Sequence, residues 1–109
     1  MSITTHILDL ARGKPAAAVN IRLVAPDGTV RNGATDADGR CRSLLAPGQL
    51  TIGIWRLEFD VGDYHARLAP DDVPFYPRAM VEFEVVDPSQ HFHIPLLLSP
   101  FGYSTYRGS

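Results

Sequence analysis

His91-Phe92-His93-Ile94-Pro95-Leu96-Leu97-Leu98-Ser99-Pro100-Phe101-Gly102-Tyr103-Ser104-Thr105-Tyr106-Arg107-Gly108-Ser109 closes the chain and decides how the rest is read. In a strand, alternate side chains point to opposite faces. Phe92, Ile94, Leu96 and Leu98 then share a core face. His91, His93, Pro95, Leu97 and Ser99 share the other, so a strand buried on one side presents two imidazoles on its far side. Pro100 and Gly102 mark a turn. Gly102 to Arg107, rich in Tyr, Ser and Thr, returns as a second strand. A chain that ends on such residues, with no polar tail after them, is expected to have its terminus held in place.

Working outward, the remaining chain repeats the same alternation. Ile3 to Leu8 reads as a strand with Ile3, Thr5 and Ile7 on one face and Thr4, His6 and Leu8 on the other, His6 pointing away from the core. Asp9 to Ala18, broken by Gly13-Lys14-Pro15, reads as a loop. Val19, Ile21, Leu23 and Ala25 mark a second strand, and Pro26-Asp27-Gly28 a turn into a third, Thr29 to Thr35. Asp36 to Arg40 is a further turn, with Gly39 the residue expected at positive φ and Arg40 just beyond it. Pro47-Gly48 turns again. In Ile52 to Asp60, Trp55, Leu57 and Phe59 face inward while Arg56, Glu58 and Asp60 face out. Gly62 to Leu68 is the one candidate helix. Ala69 to Pro77, with three prolines and two aspartates, is loop. In Ala79 to Val86, Val81, Phe83 and Val85 oppose Glu82 and Glu84, and Asp87 to Gln90 turns into the C-terminal pair. Seven or eight short strands with turn signals between them predict an all-β, antiparallel sandwich of two sheets with one short helix.

Composition bounds the possibilities. At 109 residues the chain is expected to form one domain, 1–109, with enough core to need neither disulfide nor metal. A formal net charge of −2 with scattered Lys and Arg gives no electrostatic case for nucleic acid or an anionic membrane. No apolar run approaches the ~20 residues of a membrane span. Met1-Ser2-Ile3-Thr4 lacks the basic and apolar regions of a signal peptide, and the single Cys41 fits a reducing compartment, so the protein is expected to be cytoplasmic. A core this small leaves little room for a deep private pocket, so a functional cleft is expected to form between subunits.

The chemistry-bearing residues are then weighed. A lone strand histidine is usually structural, and the chain has four: His6, His65, His91 and His93. His91-x-His93 could pair on a metal, but zinc sites take about three or four protein ligands and no further ligand motif is nearby, so no metal is expected. Acid–base work near neutral pH remains, the task imidazole suits best. Asp36-Ala37-Asp38-Gly39 opens like a calcium loop, but Arg40 and Arg42 stand at the next ligand positions, and a β-turn is the better reading. No phosphate loop and no G-x-S-x-G elbow is present. Cys41 reads as a small packed residue, and Tyr64 and Tyr76 as loop anchors.

H-x-H-I-P-L-L-L-S-P-F-G-Y-S-T-Y-R-G-S, ending in the Tyr106-Arg107-Gly108-Ser109 tetrapeptide, resembles the signature of the 5-hydroxyisourate hydrolases, transthyretin-related enzymes of purine catabolism. T-T-H-I-L-D-L-A-R-G-K-P-A near the N-terminus and the T-D-A-D-G-R turn are similar to the same family, and the likeness runs from Ile3 to Ser109. Transthyretin shares L-L-S-P-x-x-Y-S-T but lacks the Y-R-G-S end and the histidines, so a non-enzymatic carrier of a small ligand is the alternative reading. The resemblance implies a transthyretin-like sandwich, paired into dimers and stacked into a homotetramer whose sites lie between dimers. It implies hydrolytic opening of 5-hydroxyisourate, on the way from urate to allantoin, with water as nucleophile and no cofactor. Carried over by position, the catalytic residues would be His6, Arg40, His93 and Ser109. Those binding substrate would be His6, Arg40, Tyr106, Arg107 and Gly108.

Overall fold

The computed structural model of the chain describes residues 2–109. Its strands are β1 (Ser2–Asp9), β2 (Lys14–Pro15), β3 (Asn20–Val24), β4 (Val30–Ala34), β5 (Arg40–Cys41), β6 (Gly53–Phe59), β7 (Ala79–Val85), β8 (His91–Ser99) and β9 (Gly102–Thr105). One helix, α1 (Val61–Leu68), follows β6. The strands form two sheets. One runs β2-β1-β8-β9, with β5 also paired to β1; the other runs β4-β3-β6-β7. The core between them is built from the positions the alternation assigns to it. Ile3, Ile7, Phe92, Ile94, Leu96 and Leu98 of the first sheet meet Ile21, Leu23, Trp55, Leu57, Phe59, Val81 and Val85 of the second. Burial of each such large apolar side chain contributes about 1.5–3 kcal/mol.

Two readings need correction. β2 lies inside the stretch expected to be loop; its two residues pair with Leu8 and Asp9 at the sheet edge, where Pro15 needs no ladder donor. More important, the sandwich is not wholly antiparallel. β1 and β8 pair in parallel, Ser2 with His91 through to Asp9 with Leu98. Alternation fixes which residues share a face but carries no direction, and no hairpin turn links strands from opposite ends of the chain.

The outer faces of the two sheets differ in kind. On β3 and β6, Arg22 Nε bonds Glu58 Oε1 at 3.0 Å, Arg22 Nη2 bonds Asp60 Oδ1 at 3.0 Å, and Arg56 Nε bonds Glu58 Oε2 at 2.9 Å. The Arg22 bond holds the Glu58 carboxyl below its usual range. This face is charge-paired and solvated, a weak contribution to stability. The outer face of β1 and β8 instead carries the histidines.

Asp9, at the end of β1, is a buried carboxylate that the sequence did not single out. It accepts from the backbone N–H groups of Ala11 and Arg12 and, at 2.7 Å, from the Tyr64 hydroxyl on α1. Burial first, and then the hydrogen bond to Asp9, pushes the Tyr64 phenol upward, so it remains a donor at neutral pH. The helix is thereby fastened to the histidine-bearing sheet. Tyr64→Phe is expected to lower stability by about 1.5–3 kcal/mol, because a charged acceptor loses its donor. Urea unfolding of the two proteins checks this; an unchanged midpoint would show that Asp9 needs no phenol.

Candidate active site

Paired residues in neighbouring strands share a face, so the register of the first sheet lays out the site. Thr4 of β1 stands beside His93 of β8, and His93 beside Gly108 through an isolated bridge. One step along, Arg40 of β5 stands beside His6, and His6 beside Pro95. Leu96 pairs with Thr105 and His93 with Gly108, which leaves Tyr106 across from Pro95. Two rows result, Thr4–His93–Gly108 and Arg40–His6–Pro95–Tyr106. Same-face neighbours along a strand are about 7 Å apart, so the rows adjoin.

Each member is set by a local device. Arg40 follows a tight turn in which the Asp36 carboxylate accepts from the backbone N–H of Asp38 at 2.9 Å and of Arg40 at 3.0 Å. Those bonds, the one from Arg40 foremost, hold the Asp36 carboxyl low. The turn expected in place of a calcium loop is thus present, with its first aspartate spent on backbone. Gly39 sits at φ +74°, and a Cβ there would come within 2.7 Å of the Ile7 carbonyl. Its own carbonyl accepts from Ile7 N–H at 2.8 Å, which clamps Arg40 beside His6. Pro95 offers no N–H to the ladder, and the Thr105 hydroxyl bonds the Pro95 carbonyl instead, at 2.7 Å. The terminus rejoins β8 at Gly108, whose N–H bonds the His93 carbonyl at 2.8 Å. A Cβ on Gly108 would lie 2.5 Å from His93 Cδ2, so only glycine lets the chain lie flat on the imidazole.

The His93 ring is held on its other side by Thr4, whose Oγ1 lies 2.8 Å from Nδ1. The same hydroxyl lies 3.2 Å from His91 Nε2, and Ser2 Oγ bonds His91 Nδ1. The two imidazoles stack with centroids 6.5 Å apart and planes 11° apart. Burial, then the nearby charges of Arg40, His91 and His6, push the His93 pKa below 6.5. A partly buried imidazole held neutral at physiological pH, with its Nε2 bonded to no protein group among the described residues, is equipped to take a proton.

Thr4, Thr5, Arg40, Arg42, His91, His93 and Ser109 line an open depression of about 310 Å³. A larger cavity, about 480 Å³, lies between α1, the loop after it and the β8–β9 turn, with walls that include Leu68, Val73, Phe75 and Phe101. It contains none of the residues implied as site groups, and the smaller polar depression is where the chemistry gathers. Of those groups, Arg40, His93 and Ser109 share the depression. His6 and Tyr106 lie in the adjoining row, Tyr106 half-exposed, and Gly108 backs the imidazole. Arg107 does not join them. Its parity turns it to the opposite face, where Nη2 bonds Gln90 Oε1 at 2.9 Å and the guanidinium lies 4.8 Å above the Phe92 ring. Thr4, Asp36 and Arg42 were not anticipated. Thr4 could have been found, since it shares a face with His6 two residues on.

Comparison with known proteins places this geometry in context. A model of the HIUase/Transthyretin family matches residues 3–108. The 5-hydroxyisourate hydrolase of Caulobacter vibrioides is 49% identical, over 98% of this chain and 97% of its own length. The structure of Klebsiella pneumoniae 5-hydroxyisourate hydrolase superposes with a TM-score of 0.87 at 35% identity, covering 99% of this chain and 98% of that one. Sea bream transthyretin, solved with thyroxine, superposes nearly as well, with a TM-score of 0.86 at 32% identity over 99% of this chain and 95% of that one. Backbone shape therefore does not separate the hydrolase from the thyroxine-bound transthyretin, and the outer-face residues must. The chain belongs to the HIUase/Transthyretin family.

Proposed function

We propose that this chain, as one domain spanning residues 1–109, hydrolyses 5-hydroxyisourate in urate degradation. The observation that carries the reading is the partly buried His93 imidazole, its pKa lowered and its Nε2 bonded to no group among the described residues, in a depression shared with Arg40 and one row from His6. A row of imidazole and guanidinium is poorly suited to the apolar body of a carried aromatic ligand and well suited to moving protons around a carbonyl. The near-full-length relatives named for this activity support the same reading.

In the mechanism, His93 Nε2 removes a proton from water as its oxygen bonds to the ring-amide carbonyl carbon. Negative charge gathers on the carbonyl oxygen, where the forked N–H donors of Arg40 stabilise it. As the C–N bond breaks, the departing nitrogen takes a proton, passed back from His93 or through His6, and the ring opens to a carboxylate. Tyr106 and the backbone of the last residues bond the ring's amide edges, and Ser109 closes the depression. No step needs a cofactor. Arg107, turned away, supports the terminus and takes no direct part.

An open depression is half of a site, and we propose that a homotetramer, a dimer of dimers, completes it in the channel between dimers. The buried free Cys41 suits a reducing cytoplasm.

His93→Ala and His6→Ala are each expected to lower kcat by about 10²–10⁴-fold, the usual worth of a placed acid–base group. The decay of freshly made 5-hydroxyisourate absorbance, run beside sedimentation to show an unaltered assembly, measures it; near-normal turnover in both variants rejects the assignment. Gly108→Ala should lower kcat through displacement of the imidazole while leaving the unfolding midpoint nearly unchanged. Equal loss in both would mark Gly108 as merely structural. The acid limb of kcat/KM should have its midpoint below 6.5, because the base must be neutral and its pKa is depressed. Arg40→Gln removes one cause of the depression and should move that midpoint upward. A downward shift would exclude His93 as the titrating group.

A further inference from the structure

We infer that His91 is a positioning residue that sets the tautomer of His93 through the Thr4 hydroxyl. The inference rests on the reading of His93 as the base. Thr4 Oγ1 lies 2.8 Å from His93 Nδ1 and 3.2 Å from His91 Nε2, and Ser2 Oγ bonds His91 Nδ1. A hydroxyl has one proton to give, and a neutral imidazole has one donor and one acceptor nitrogen. The chain of bonds therefore has two self-consistent directions.

In one, Thr4 donates to His93 Nδ1 and accepts from His91 Nε2–H. His93 then carries its proton on Nε2, facing the depression, and cannot accept one there. In the other, Thr4 donates to His91 Nε2 and accepts from His93 Nδ1–H. His91 keeps its own proton on Nδ1 for Ser2, and the His93 lone pair faces the depression. The surroundings select the second direction. The depression is lined by two guanidinium groups, Arg40 and Arg42, against the single terminal carboxylate of Ser109, and that excess of cations favours a lone pair over an N–H facing them. His91 is the acceptor that makes this direction complete. Without it, the one acceptor left to the Thr4 hydroxyl among the described residues is His93 Nδ1, which favours the tautomer that cannot serve as base. His91 is exposed and stacks on His93, and its charge is one of the smaller causes that lower the His93 pKa; at a pH above that pKa its bond to Thr4 is what acts on the tautomer.

Imidazole ¹⁵N shifts of the ligand-free protein at a pH above the His93 pKa read the tautomer directly, with the His93 signals assigned by their loss in His93→Ala. The expected result is a protonated Nδ1 and a bare Nε2. His91→Phe keeps an aromatic ring but removes the acceptor. It should move the proton towards Nε2 and lower kcat about 5-fold, the population change that one hydrogen bond carries, with KM unchanged. His91→Gln, whose terminal oxygen reaches the place of Nε2, should restore both. A His93 that keeps its proton on Nδ1 in His91→Phe, or that already carries it on Nε2 in the parent protein, overturns the inference. A tautomer shift with no loss of rate would leave the bond chain standing and overturn the reading of His93 as the base.

Discussion

The parallel pairing of β1 with β8 is the constraint on which the site depends. It sets Thr4 beside His93 and His6 beside Pro95. Because side chains alternate with a strict period of two, a slip of one residue would turn one strand's set of outer residues into the core. The apolar partners on the inner face, Ile3, Ile7, Phe92, Ile94, Leu96 and Leu98, forbid that slip. The positions of the imidazoles are thus enforced by the hydrophobic core behind them. The two terminal segments of the chain become neighbours, and β5 and the last residues attach on either side.

The same logic explains what was legible in the sequence. The inner face of every long strand could be read, because burial leaves its period in the residue types. The outward placement of His6 and His93 could be read for the same reason. The direction of β1 against β8 could not, since alternation is the same for parallel and antiparallel strands. Arg107 shows the reverse case. Motif likeness marked it as a site group, yet the parity that put Tyr106 on the imidazole face necessarily puts Arg107 on the other. Asp36 and Gly39 were legible as a turn, but that the turn exists to seat Arg40 beside His6 depends on a long-range contact with Ile7. Thr4 and Asp9 matter through partners nearly ninety and more than fifty residues away, which no local pattern records.

The contrast between the two outer faces shows where the fold leaves freedom. Both sheets have a solvent side, and core packing fixes neither composition. On β3 and β6 it is filled with Arg22, Arg56, Glu58 and Asp60, opposite charges in mutual contact. On β1, β5 and β8 it is filled with imidazoles and two arginines, with no carboxylate side chain among the residues lining the depression. A surface chosen for stability or solubility would place Asp or Glu among those cations. Here the nearest such carboxylate, Asp36, sits in the turn before β5 with its oxygen bonded to backbone, and Arg40 and Arg42 face the opening without an Asp or Glu lining it.

The burial of His93 beside these cations has a thermodynamic consequence. Burial and the neighbouring Arg40, His91 and His6 depress the His93 pKa in the folded chain. A group so depressed binds fewer protons in the folded state than in the unfolded one as pH falls below 6.5. Stability therefore rises with pH through that window and is lost on acidification, down through the folded-state pKa. A carboxylate beside His93 would reverse the sign: it would raise the pKa, protect the fold in acid and hold the imidazole charged. A charged imidazole has no lone pair with which to accept a proton from water. The arrangement therefore gives up some acid tolerance in order to keep His93 neutral, and the arginine proposed to stabilise an oxyanion is also one of the groups that hold the proposed base neutral.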